Sequence, residues 1–194
     1  MKKVLIAAAA AFVAVAAPAT AATNVNLDGV GNASLDGSNG VVVNLAQGTY
    51  NLTFTQDAYT AFTRFSNVQG CDANGANCFT GFENSARYII GNTTYLFGDG
   101  AGSGGLGPVA GGAYYDSAAK SFAEAGKYVQ TFTVGAGETA TFFLYDDNLG
   151  DNSGGVSLAL SAVPEPSTWA MLILGMGAIG GAMRRRRNPV LSYV

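Results

Sequence analysis

Hydrophobic and polar side chains alternate along several short stretches in the middle of this 194-residue chain. Alternation with a period of two is the pattern of a β-strand that has one face in a core and the other in solvent. It is clearest at 50–55 and 156–160. The side chains predicted to face inward are Tyr50, Leu52, Phe54, Val156, Leu158 and Leu160. Both stretches are therefore predicted to be strands that pack on a core.

Further strands are predicted at 41–45, 88–90, 95–97, 128–134 and 139–145. The turn residues Gly91 and Asn92 lie between two of them and favour a hairpin. Residues 117–125 are predicted to form one short helix, and the glycine-rich stretch 98–112 a surface loop. Short strands separated by turn residues predict an all-β body over 22–162, built as an antiparallel β-sandwich or jelly roll.

An uncharged apolar run, 169–183, lies between two distinctive segments. The rigid tripeptide Pro164-Glu165-Pro166 precedes it. The arginines that follow it are Arg184, Arg185, Arg186 and Arg187. This order predicts a single apolar transmembrane helix that stops at the arginines on the cytoplasmic side. A helix of that length spans about 22 Å against a hydrocarbon core of about 30 Å, which suits a segment that is recognised and cut.

These residues resemble the PEP-CTERM sorting signal in its PEPxxWA form. The motif positions are occupied by Pro164, Glu165, Pro166, Trp169 and Ala170. The segment 163–187 also carries the apolar run and the arginine block in the order of the family. The resemblance implies processing at or near the PEP motif by an exosortase, a membrane cysteine protease-transpeptidase of Gram-negative bacteria that often make exopolysaccharide. A plain tail anchor is the alternative, and the extra tail 188–194 departs from the family pattern.

The same C-terminal segment is also known as an ice-binding-protein C-terminal motif, a label that describes the tail and implies no ice-binding surface.

The N-terminal end of the chain has the features of an export signal. Lys2 and Lys3 precede an alanine-rich apolar stretch, and 19–21 form an A-x-A cleavage site. Residues 1–21 are therefore predicted to be a secretory signal peptide. We expect export across the inner membrane, transient anchoring there by the C-terminal helix, and a final place in the cell envelope, at the outer surface or outside the cell.

Charge is distributed unevenly along the chain. The whole chain has a formal charge of −3, but the body holds twelve acids and only four bases, a net charge of −8. A body this acidic is a poor partner for nucleic acid. It suits cations, although a solvated acidic surface explains the same residues.

Cysteine and histidine usage restricts the chemistry further. Cys71 and Cys78 are the only cysteines, and an even count in an exported protein predicts a disulfide. The chain has no histidine, which removes zinc sites of the usual kind and the commonest catalytic base. We therefore predict that the protein is not an enzyme. The adjacent pair Asp146-Asp147 keeps a carboxylate-based hydrolase as the alternative.

The stretch 145–155, YDDNLGDNSGG, is the richest in candidate ligands. Carboxylates and carboxamides crowded in a glycine-containing loop are what Ca²⁺ requires. The spacing is not that of an EF-hand. A solvated turn whose Asp and Asn side chains cap the backbone fits the same spacing.

The loop and the alternating strand after it also resemble the calcium loop of the galactophilic, PA-I type lectin jelly roll. This resemblance implies that Asp147, Asp151 and Asn152 bind Ca²⁺, together with a carbonyl near Leu149 and the backbone carbonyl of Tyr59. The loop here is shorter, and the sugar-contacting histidine of the family has no counterpart. Calcium is therefore the safer implication, and galactose binding is in doubt.

Three classes of function follow from these patterns. The first is an exported module, stabilised by calcium, that contacts extracellular polysaccharide. The second is a structural protein of the envelope or exopolysaccharide matrix without a specific ligand. The third, a hydrolase, needs two carboxylates that face one cleft.

Overall fold

The computed structural model describes residues 22–98, 114–164 and 166–185. The chain divides into two compact units, and Val163 is the last residue of the larger one, the β body. Several predicted features lie outside the described residues, namely the signal peptide 1–21, the loop 98–112 apart from Gly98, Glu165, Arg186, Arg187 and the tail 188–194.

The body contains two antiparallel sheets, as the alternation predicted. The strands are β1 (Thr23–Asp28), β2 (Val41–Val43), β3 (Gly48–Thr55), β4 (Phe62–Thr63), β5 (Ser85–Ile90), β6 (Thr93–Gly98), β7 (Val129–Val134), β8 (Ala140–Phe143) and β9 (Ser153–Ala162). One sheet has the order β1-β9-β3-β7, with β4 paired to the start of β9, and the other has the order β2-β8-β5-β6. The helices are α1 (Ala118–Ala125) and α2 (Pro166–Arg185).

Aromatic side chains join the two sheets through the core. Phe54 on β3 stacks on Phe97 of β6, with ring centroids 4.4 Å apart. Tyr88 on β5 contacts Phe132 of β7 at 5.3 Å. Each contact pairs the inner face of one sheet with that of the other, so one core holds both.

The alternation on β3 and β9 is confirmed on the core side. Every inward position named from the sequence is buried. The outer face of β9 differs from expectation at Ser157, which is only 1% exposed. Its hydroxyl accepts the N–H of Tyr59 and donates to Asn26 Oδ1, so the segment after β3 covers it.

Other predicted elements are present with small shifts. The hairpin β5–β6 turns at Gly91, whose φ of +57° favours glycine. Helix α1 begins one residue later than predicted. Strands β1 and β4 were not predicted. Both pair with β9, and β4 has only two residues.

Helix α2 contains the apolar run 169–183. Its large side chains are exposed, for example Trp169 at 56%. Among the described residues, no helix is long and apolar enough to cross a membrane. The helix is therefore confirmed, but the transmembrane assignment of 169–183 is not, since the run is short and contains four glycines.

The disulfide between Cys71 and Cys78 is present, with Cα atoms 3.8 Å apart. Asp72 organises the loop that it closes. Its carboxylate accepts the backbone N–H groups of Asn74 and Ala76 and the side-chain amide of Asn77. These bonds, the Ala76 N–H first, lower the pKa of Asp72 below its ordinary value.

Leu158 tests the importance of β9 for stability. The side chain is fully buried on a strand that has partners on both sides. Leu158→Ala should lower the free energy of unfolding by about 2–5 kcal/mol, because it leaves a cavity. Exposed Ser161 on the same strand is the control, and Ser161→Ala should change it by less than about 0.5 kcal/mol. Urea unfolding followed by far-UV circular dichroism measures both, and equal midpoints for the two variants would contradict a core role for β9.

Candidate functional site

The candidate site is the loop 145–152, which joins β8 to β9. Asp146 begins it with a side chain that is only 9% exposed. Its Oδ1 accepts the backbone N–H groups of Asp147 at 2.8 Å and Asn148 at 3.2 Å, which fixes the turn. Asp147 is exposed. The strand-end acid that faces the protein is therefore Asp146, and the sequence interpretation had assigned this role to Asp147.

Three oxygen atoms of this loop are buried without a hydrogen-bond partner in the described part of the protein. They are Asp146 Oδ2, Asp151 Oδ1 and Asn152 Oδ1. The Asn152 side-chain amide donates to Gly29 O at 2.8 Å, so its nitrogen is directed to Gly29 and its oxygen is the free acceptor. Buried acceptors in folded proteins are normally satisfied, because an unpaired one costs about 1–3 kcal/mol.

The chemistry of this set fits a hard cation. Two carboxylates and one carboxamide give only oxygen donors, which Ca²⁺ prefers, with backbone carbonyls or water to complete the shell. Within the described ranges, no cluster of three or more His, Cys, Asp or Glu side chains could hold a metal. A cation here would therefore depend on the amide of Asn152 as well as on Asp146 and Asp151.

Tyr59, predicted to offer its carbonyl, lies beside the start of β9. Its ring packs so closely on Gly155 that a Cβ there would come within 2.6 Å of it. Its phenol donates to Asp28 Oδ2 at 2.9 Å. That bond raises the pKa of Tyr59 above its ordinary value. The structure thus gives Tyr59 a side-chain role that the sequence did not predict.

Asp28 ends β1 beside this loop. Its Oδ1 accepts the N–H groups of Gly31 at 2.7 Å and Val30 at 3.0 Å. The Gly31 bond, opposed by burial and supported by the Tyr59 phenol and Val30, lowers the pKa of Asp28. An Asp followed by Gly-Val-Gly is the sequence signal for such a turn.

An open cleft of about 320 Å³ lies next to the loop. It is lined by Ala33, Ser34, Leu35, Asp36, Ser38, Asn39, Asp146, Asp147 and Leu149. A parallel bridge between Ala33 and Leu144 holds its two walls together. The two walls are far apart in the sequence, so no local pattern predicts the cleft.

The body also holds a buried ion pair. Arg64 Nε bonds to Glu83 Oε1 at 2.7 Å, and the hydroxyl of Ser85 donates to Glu83 Oε2. Burial raises the pKa of Tyr114 to about 12, with Glu83 adding to the effect. The guanidinium of Arg87 lies over the Tyr145 ring, 3.3 Å from its centroid. The network holds two guanidiniums, Arg64 and Arg87, and one carboxylate, Glu83, so its formal charge is +1.

The sorting residues lie beyond the last strand. Pro164 is exposed, and α2 begins at Pro166, where proline is favoured in the first helical turn. Trp169, Ala170 and Arg184 are exposed on the helix.

Comparison with known proteins supports the sorting assignment. Residues 162–187 match the family model described as the PEP-CTERM protein-sorting motif. No curated protein and no solved structure matches the chain. The PEP-CTERM resemblance is therefore confirmed at these residues, and the lectin resemblance is not.

Asp28 should make the free energy of unfolding depend on pH in the acidic range. Its pKa is lower folded than unfolded, so its contribution is fully present above the unfolded value of about 3.9 and is lost as pH falls through the folded value. Asp28→Asn should flatten the decline of unfolding free energy below about pH 4. Tyr59→Phe removes the phenol bond to Asp28 but keeps the bonds from the backbone N–H groups, so it should flatten this decline less. Unfolding curves between pH 2 and 7 measure this, and three parallel pH profiles would count against the assignment.

Proposed function

We propose that this protein, which carries a PEP-CTERM sorting motif at 162–187, is an exported surface or extracellular-matrix protein that an exosortase sorts. We further propose that its body is a calcium-stabilised module that contacts extracellular carbohydrate. The observation that carries the first part is the motif match. The observation that carries the second is that three oxygens of one loop are buried and unpaired, those of Asp146, Asp151 and Asn152, and that Asp146 also lines the cleft.

The sorting motif makes an exosortase the processing partner. Before processing, the C-terminal segment is expected to hold the precursor at the inner membrane, with Arg184 and the following arginines on the cytoplasmic side. After processing, the body belongs to the envelope or the surrounding polysaccharide matrix. The net charge of −8 on the body favours cations and disfavours nucleic acid.

Calcium binding is supported by charge as well as by geometry. Asp146 and Asp151 lie in one short loop, and buried carboxylates repel each other unless a cation or solvent intervenes. A Ca²⁺ ion held by Asp146, Asp151 and Asn152 would pair all three free oxygens at once. The revised donor set exchanges Asp147 for Asp146 and keeps the other two predicted ligands.

Carbohydrate is the ligand class that suits the cleft. Its walls combine hydrogen-bonding side chains, such as Asp36 and Asn39, with the apolar side chains of Leu35 and Leu149. Sugars present hydroxyls and C–H faces to such a surface. Catalysis is less well supported, because Asp146 is buried and Asp147 exposed, so the two do not act as a facing pair. The other candidate is a matrix protein without a specific ligand.

Processing has a direct test. We expect the mature chain to begin at Ala22 or Thr23 and to lose the segment from about Trp169 onward. Glu165→Ala should accumulate precursor, whereas Ser167→Ala, at a variable position of PEPxxWA, should not. Intact-mass spectrometry of protein from the native envelope measures both. Full-length wild-type protein that still ends at Val194 would leave a plain tail anchor.

Calcium binding should appear as thermal stabilisation. Ca²⁺ at a hundredfold excess over its Kd stabilises the native state by about 2.7 kcal/mol, which raises Tm by several degrees. Asp146→Asn should abolish the increase, and Asp147→Asn should retain most of it. Asp72→Asn, in the disulfide loop, is the control and should retain the increase. Thermal melts in EDTA and in millimolar Ca²⁺ measure the shift.

If the thermal melts in EDTA and in Ca²⁺ overlap, loop 145–152 is an ordinary acidic turn. A glycan array with and without EDTA separates the two remaining functions. Calcium-dependent glycan binding that Asp146→Asn removes supports the binding module. A calcium shift without glycan binding supports the matrix protein.

A further inference from the structure

Both ends of the folded body lie at the same end of its first sheet. β1 begins at Thr23, which pairs with Leu160 near the end of β9. β9 ends at Ala162, which pairs with Tyr50 near the start of β3. The N–H of Val163 still donates to Thr49 O at 2.8 Å. The chain therefore leaves the sheet directly at the sorting motif, without a spacer.

This end of the body, the proximal end, otherwise carries short turns. They are 44–47, 91–92 and 135–139. The pairings confirm their position. Val134 lies opposite Gly48, and Ala140 pairs with both Val43 and Ile90.

The opposite end, the distal end, carries longer loops and the candidate site. These loops are 29–40, 56–61 and 144–152. Asp28 pairs with Gly155, and Phe62 pairs with Gly154, which puts the starts of β9 and β4 and the end of β1 together there. The residues of β9 extend over about 30 Å at the rise of a strand. That length separates the candidate cation loop from the point where the chain leaves the body.

We propose that the exosortase cuts C-terminal to Val163, that the processed body is held through its proximal end, and that the distal end faces away from the attachment. This inference rests on the proposed sorting function. It adds to that function the first position at which the chain can be cut and the end of the body that faces outward. The surface predicted to meet extracellular polymer is then the rim formed by loops 29–40 and 144–152.

The limit on the cut follows from the position of β9. A peptidase needs an extended substrate whose backbone is free, and the backbone up to Val163 is hydrogen-bonded to β3. A cut within β9 would also remove residues that pair with β1 and β3 at once, such as Leu160. In the cut, a peptide C–N bond breaks, its carbonyl carbon passes to water or to an acceptor amine, and the leaving nitrogen takes up the proton.

The first measurement is the mature C-terminus of the full-length protein made in a host that contains the exosortase. Peptide mass spectrometry should find a C-terminal peptide that contains Ala162 and Val163. A mature chain that ends at Ala162 or earlier overturns the limit on the cut.

The second measurement is the direction of display. A recognition sequence for a specific protease is inserted either between Val30 and Gly31, directly after the distal end of β1, or between Ala136 and Gly137, at the proximal end. Both positions are exposed and lie outside the candidate cation loop. On intact envelope the distal insertion should be cut about tenfold faster, because the attachment shields the proximal turn.

Detergent-extracted protein is the control, and there both insertions should be cut at similar rates. Equal rates on the envelope overturn the direction of display, and so does recovery of the protein only as free chains in the medium. A full-length chain that ends at Val194 refutes the proposed sorting and the inference with it. A correct C-terminus with equal cutting rates refutes the direction alone.

Discussion

The pairing of β9 is the interaction on which the rest of the body depends. This strand lies between β1 and β3, and its first residues also pair with β4. Its inner face supplies Val156, Leu158 and Leu160 to the core. Its start holds one edge of the candidate site, and its end leads into the sorting motif. β9 therefore contributes to the core, borders the candidate site and leads into the sorting motif. A change at either end of this strand affects the hydrogen bonds of the same strand.

Two buried carboxylates of the body, Glu83 and Asp146, differ in how their oxygens are paired. Glu83 is fully buried, but both of its oxygens have partners in Arg64 and Ser85. Asp146 is nearly as buried, and one of its oxygens has none in the described residues. Arg64 lies close enough for Asp146 to raise its pKa, but this is the smallest of the influences on it, and no ion pair forms between them. The contrast distinguishes the acid of loop 145–152, which has an unpaired oxygen, from Glu83, whose two oxygens are both paired.

The sequence predicted what depends on local pattern and failed where distant segments meet. Most of the period-two strands, the hairpin and the disulfide were found, because each is encoded by neighbours. The sorting motif was found for the same reason. β1 was missed, although Val25 and Leu27 alternate with polar residues. Which of Asp146 and Asp147 faces the protein could not be predicted, because three consecutive residues before them, Phe142, Phe143 and Leu144, are all buried and the alternation is lost. The cleft and the burial of Ser157 depend on loops from other strands, which no period reveals.

The topology also constrains the order of events during export. The first strand of the body pairs with the last, so the first sheet cannot close until Ala162 is available to it. Pairings between such distant segments form late, because the entropy of closing the loop between them opposes the contact. The second sheet and the disulfide loop lie between these strands in the sequence and do not need β9. The sorting motif follows β9 directly, so the segment that completes the fold is also the segment next to the processing site. The last two residues before Pro164 therefore take part in the pairing that completes the first sheet.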